Sequence, residues 1–172
     1  MEWDANLNDT LPNCTTAACA NAVQIWRDGV GPTDDEILRA FSRWGSKHKH
    51  VMRGFWRDGL GGLKIKCFAR LADRAEVGEA IDRFGCAYLS MGEVSGVKNH
   101  VVLAIDAGLE GITFVTWGRV QQMVWAEYEA KVKQAYAFSP KWSWKMAWWQ
   151  IKNDPTWWAF LALIPLIGWA AL

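Results

Sequence analysis

At Gly59-Leu60-Gly61-Gly62 the hydrophobic period of the chain changes, and this change limits the fold more than any other feature of the sequence. Before it, apolar residues recur at helical spacing. Residues 14–26 place Ala18, Ala22, Ile25 and Trp26 on one face, and Asp28-Gly29 closes the helix. Thr33-Asp34-Asp35-Glu36 is a capping box, with Thr33 as the N-cap and Glu36 three residues on. It opens a second amphipathic helix through Ile37, Phe41 and Trp44, stopped at Gly45. A basic stretch, Lys47-His48-Lys49-His50, is expected to be a solvated loop leading to a third short helix over 51–57.

Beyond the glycines, Leu63–Phe68 alternates apolar and polar, the signature of a strand with one buried face. Residues 73–84 return to helical spacing through Val77, Ile81 and Phe84. Three apolar runs follow at 86–91, 100–105 and 112–116, the last two flanking a turn-rich Asp106-Ala107-Gly108-Leu109-Glu110-Gly111. A helix is expected over 125–132 and a final strand over 134–138, and Ser139-Pro140 marks a boundary. The expected class is α+β, helices first and then a mostly antiparallel sheet. Residues 1–138 are long enough for one core, and 139–172 form a second, different segment.

Composition narrows the function classes. At 172 residues with 51% hydrophobic and 22% charged side chains, the chain is neither disordered nor collagen-like. A formal charge of +1 argues against a nucleic-acid partner, since phosphate neutralisation calls for a basic surface. Four cysteines are too sparse for a disulfide scaffold, and the acidic Met1-Glu2-Trp3-Asp4 has no apolar run of a secretory signal behind it. Free thiols and synthesis in the cytoplasm are therefore expected. No cofactor is called for: Cys14, Cys19 and the histidines lack zinc-site spacing, and no Lys-Ser/Thr follows the glycines of 59–62.

Cys14 falls where the first helix begins. Unpaired N–H groups and the helix dipole favour thiolate there, and thiolate is the form that attacks. Such a nucleophile needs a base brought from elsewhere in the chain. Of three histidines, His48 and His50 lie in the charged stretch, whereas His100 opens an apolar strand after Lys98-Asn99.

The order and spacing of these residues resemble the papain-like cysteine peptidases over about residues 8–138. In that family an oxyanion-hole amide precedes a Cys at the head of a helix, a later His opens a strand, and an Asn or Asp stands on the neighbouring strand near Trp-Gly. Asn8 occupies the amide position, six residues before Cys14, and Val115-Thr116-Trp117-Gly118 stands where the family has Asn-Ser-Trp-Gly. The chain is most similar to small uncharacterised phage and prophage members, with which it shares Val-Thr-Trp-Gly and Gln-Ala-Tyr-Ala. The resemblance implies Cys14 as nucleophile, His100 as base, Asn8 and the Cys14 N–H as oxyanion donors, and Thr116 steadying the ring.

If the hairpin turns near Gly108, His100 faces Thr116 or Trp117. Asp106, six residues along the strand, is then about 20 Å away at ~3.3 Å per residue, a turn residue and not the orienter of His100. Thr116 brings a hydroxyl but no charge where the family has Asn or Asp, and Asn8 is one methylene shorter than Gln. Both departures point to a papain-like scaffold with weakened or lost catalysis, a pseudoenzyme that in the phage setting would be a virion structural or assembly component. The alternative is an active cysteine hydrolase of peptide or peptidoglycan amide bonds.

Of 13 tryptophans, seven lie in the last 31 residues, interleaved upstream with Lys141, Lys145 and Lys152. Residues 157–172 carry no charge, and as a helix would span about 24 Å, short of the ~30 Å bilayer core. Three readings of 139–172 stay open: a bilayer attachment, an arm buried on another subunit, or a segment folded back on its own domain.

Overall fold

The computed structural model describes residues 3–8, 11–94 and 96–153. Its first helix, α1 (Cys14–Trp26), buries every residue from Thr15 to Gln24. Being surrounded by the domain, it shows no solvent-facing polar stripe, and Thr15, Thr16, Asn21 and Gln24 are buried with its alanines. α2 (Asp34–Trp44) starts at the expected capping box, with the Thr33 side chain accepting from the Glu36 N–H and the Glu36 carboxylate accepting from the Thr33 N–H. α3 (His48–Arg57) begins three residues earlier than expected and takes in His48, Lys49 and His50 of the expected basic loop.

The strands follow as β1 (Cys67–Leu71), β2 (Ala87–Met91), β3 (Glu93–Val94), β4 (Val97–Lys98), β5 (Val101–Ala107), β6 (Gly111–Thr116), β7 (Arg119–Val124) and β8 (Val132–Ser139). Between them lie α4 (Arg74–Phe84), α5 (Trp125–Lys131) and a last helix, α6 (Trp144–Asn153). Six strands form one antiparallel sheet in the order β1-β8-β2-β5-β6-β7, and β3 pairs with β4 apart from it. The α+β class with N-terminal helices and an antiparallel sheet is thus as expected.

Helices cover both faces of the sheet. Tyr88, Val101, Leu103 and Phe138 pack with α1, α2 and α3, while Leu89, Val102, Ala104 and Ala137 pack with α4 and α6. Successive residues of a strand point to opposite faces, so burial on both sides makes β2 and the start of β5 continuous apolar runs.

Three local expectations are corrected. The alternation at 63–68 is not a strand: Leu63 and Leu60 form a single bridge, and the ladder with β8 begins only at Cys67. Asp106 lies within β5, paired with Thr113 beyond a bulge, and not in the turn. The polar β7, on the sheet edge, was not foreseen at all.

The segment read as an attachment begins with a helix that packs on the domain. Met146 and Trp149 of α6 are 0% and 1% exposed within the core that includes Leu71 and Phe84. Lys152 pairs with Glu76 at 2.8 Å, and the Asn153 side-chain amide donates to Glu76 and to the Arg70 carbonyl. The uncharged stretch 157–172 lies outside the described residues. Among the described residues no helix is long and apolar enough to cross a membrane.

Candidate active site

Asn8, Cys14 and His100 line one cavity of about 560 Å³, together with Leu11, His48, Lys98 and Trp117. Asn8, Cys14 and His100 come from three separate parts of the chain: the N-terminal turn, the head of α1 and the residue before β5. The turn is shaped by Asn6 and Leu7, both at positive φ, and anchored where the Asn6 side-chain amide donates to Asn21 of α1 at 2.6 Å. The buried Asn13 amide donates in turn to the Asn6 carbonyl, so the strand of chain carrying Asn8 is tied to the helix carrying Cys14.

His100 is 3% exposed. Its Nε2 lies 2.6 Å from the Thr116 hydroxyl, which reaches it diagonally, since a ladder pairing Leu103 with Val115 sets Thr116 level with Val102 and not with His100. The ring stacks on Trp117 with centroids 4.3 Å apart and planes at 21°. Trp117 reaches this position because it and Gly118 form the two-residue connection between β6 and β7, both at positive φ as a type I′ turn requires. Gly118 has a second constraint: a Cβ there would stand 3.1 Å from the Ala5 nitrogen. Thr116 thus holds the edge of the imidazole and Trp117 its face.

The electrostatics are those of a neutral pair. Burial raises the Cys14 thiol above its ordinary value, opposed in part by the backbone N–H groups of Val101, Thr15 and Cys14 itself. Burial lowers His100 to about 4. The Val101 contact is geometrically informative, because Val101 follows His100 directly: the sulfur sits at the head of the strand that the histidine opens. The other thiols belong to the interior. Cys19 and Cys86 have no exposed surface, and all four cysteines are free.

His48 corrects the sequence reading. It is half-buried, not free in solvent: its Nδ1 lies 2.7 Å from the Tyr88 hydroxyl and its Nε2 3.3 Å from Ser90, and it lines the Cys14 cavity. Its lysine-flanked sequence carried no sign of this, since the burial comes from α3 starting at His48 and lying over β2. Trp117 was visible only as part of a motif, and its stacking role depends on turn geometry.

No family model matches the chain, and no curated protein matches it either. Solved structures do. One is the peptidase domain of Streptococcus ComA, a bifunctional ABC transporter involved in a quorum-sensing pathway. It superposes with a TM-score of 0.55 at 10% identity, covering 75% of this chain and 92% of that one. The fold is papain-like. A double-glycine-motif protease from an AMS/PCAT transporter, solved with a leader peptide, gives a TM-score of 0.52 at 13% identity over 76% of this chain and 86% of that one. At such identities the likeness establishes the fold and leaves the chemistry to the residues. Neither structure is described as a phage protein, so closeness to phage members gains no support from them.

Proposed function

We propose that this chain is a cysteine peptidase-like hydrolase of low intrinsic reactivity that acts on a peptide amide. The observation that carries the reading is the single cavity lined by Asn8, Cys14 and His100, with the ring of His100 held by Thr116. With Nε2–H donating to Thr116, the lone pair of Nδ1 is the base. Cys14 Sγ attacks the acyl carbon and its proton passes to His100. The Asn8 amide and the Cys14 N–H hold the tetrahedral oxyanion, and His100 returns the proton to the leaving amine. Water then releases the acyl group by the same proton path in reverse. A peptide is the substrate class suggested by the peptidase neighbours, one of which was solved with a leader peptide.

A specific observation favours a second reading, a papain-like scaffold that binds peptide without turnover. Thr116 supplies no charge to stabilise an imidazolium, and both partners rest in their neutral forms. A virion role for such a scaffold rests on the sequence resemblance alone.

A peptidyl fluoromethyl ketone separates the two, because it alkylates a thiol efficiently only when a bound carbonyl is aligned for attack. Under the first reading it modifies Cys14 of the wild type and fails with Cys14→Ala. With His100→Ala the rate falls by roughly 10²–10⁴, the usual worth of a positioned base. Under the second, iodoacetamide modifies Cys14 but the peptidyl reagent is no faster than with a free thiol.

A further inference from the structure

α6 has two unlike faces. Met146 and Trp149 seat it on the sheet, whereas Trp144 and Trp148, one helical turn apart, are 80% and 56% exposed on the other side. Trp142, 60% exposed, meets Trp144 edge to face with centroids 6.0 Å apart and continues the row. Three large indoles in one exposed row are rare on a soluble surface and mark a contact site.

The lysines around them are occupied within the domain. Lys145 pairs with Glu79 at 2.9 Å and lies over the Trp149 ring, Lys152 pairs with Glu76, and Lys131 pairs with Glu127. Lys133 and Lys141 are the lysines of residues 131–153 without a carboxylate partner among the described residues. Immediately after α6 and Asp154-Pro155-Thr156 the sequence runs through 16 residues without a charge, including three more tryptophans.

We propose that the Trp142–Trp144–Trp148 row is a lipid-facing surface that lays α6 on the headgroup–acyl boundary of a bilayer. Indole suits that boundary because its ring is apolar while its N–H can bond at headgroup depth. The internal pairing of the lysines gives the proposal its distinctive content. Attraction to anionic lipid is a minor part of the affinity, and indole burial is the main one. The inference is independent of any activity at Cys14.

The test uses the full chain and vesicles of pure phosphatidylcholine, a zwitterionic lipid, in flotation. The wild type is expected to float with the vesicles, with a bound fraction that changes less than about twofold between low and high salt, since screening acts on charges and not on apolar burial. Trp142→Ser/Trp144→Ser/Trp148→Ser should lower partitioning by about tenfold or more, and Trp144→Ser alone by about threefold. Both substitute exposed side chains, and near-ultraviolet circular dichroism from the buried Trp44 and Trp149 checks that the fold persists. Failure of the wild type to float overturns the proposal. So does equal flotation of the triple variant, which would give the binding to residues 154–172 alone. Binding confined to anionic vesicles and abolished by salt overturns the indole argument. A wild-type oligomer that does not float and that the triple variant converts to monomer assigns the row to a second copy of the chain.

Discussion

At the residue scale the site turns on Thr116. It reproduces the geometry of a histidine orienter, at 2.6 Å from Nε2, without the negative charge that would favour the imidazolium. Burial therefore acts unopposed and lowers His100 to about 4, and the Cys14 thiol, raised by burial, stays protonated at neutral pH. Because the thiolate is the reacting species, the alkylation rate of Cys14 should go on climbing with pH past the ordinary thiol range of about 8.5 and reach its maximum only above it. Thr116→Asp supplies the missing charge. It should raise the imidazole pKa, lower the thiol pKa and speed iodoacetamide alkylation at pH 7 by about tenfold, one pKa unit's worth. Rates measured against pH by mass spectrometry check this, and an unchanged profile would mean that the ring and the sulfur do not share a proton. The hairpin was legible in the sequence but its register was not: the ladder pairs Leu103 with Val115 and shifts at a bulge before Asp106, one place off the arithmetic from Gly108. The role of His48 was not legible. Its neighbours Lys47 and Lys49 are exposed, and only the contacts with Tyr88 and Ser90 half-bury the imidazole.

At the element scale, caps and long periodic segments were readable and edges were not. Thr33 and Glu36 announce α2 because a capping box is local chemistry, and α4 is announced by the helical spacing of Val77, Ile81 and Phe84, while its Asp73 cap on the Glu76 N–H appears only in the structure. β1 was misplaced by four residues because Leu63 and Ile65 alternate for a different reason: Ile65 is buried under α1–α3 in a loop, not in a ladder. α6 was hidden by its own tryptophans. Six indoles within 142–158 read as one attachment surface, although Met146 and Trp149, three residues apart, form a buried stripe. Trp149 packs edge to face on Phe84 and carries Lys145 over its ring, which makes it the bolt between α6 and α4. Trp149→Ala should destabilise the domain by about 3–5 kcal/mol, the usual cost of removing a buried large aromatic. Trp144→Ala, at an exposed position of the same helix, should cost less than about 0.5 kcal/mol. Urea unfolding of the two variants compares them directly, and similar midpoints would show that α6 is not part of the cooperative unit.

At the scale of the whole molecule, one sheet separates two helical layers, and the site lies where the N-terminal layer meets the first residue of β5. That arrangement explains why a papain-like fold persists at 10% identity to ComA's peptidase domain. The demands are small residues through α1, a central strand buried on both faces, and a hairpin of fixed register, all met by many sequences. The account depends on long-range assembly: Cys14 and His100 are 86 residues apart in the chain and act on each other only if the fold closes as described. The alkylation rate of Cys14 as a function of pH, in the wild type and in His100→Ala, tests this most directly. If the imidazole accepts the thiol proton, the variant should react about tenfold or more slowly at pH 7, and the two curves should converge at high pH, where the thiolate forms unaided. Superimposable curves across the whole range would contradict the account.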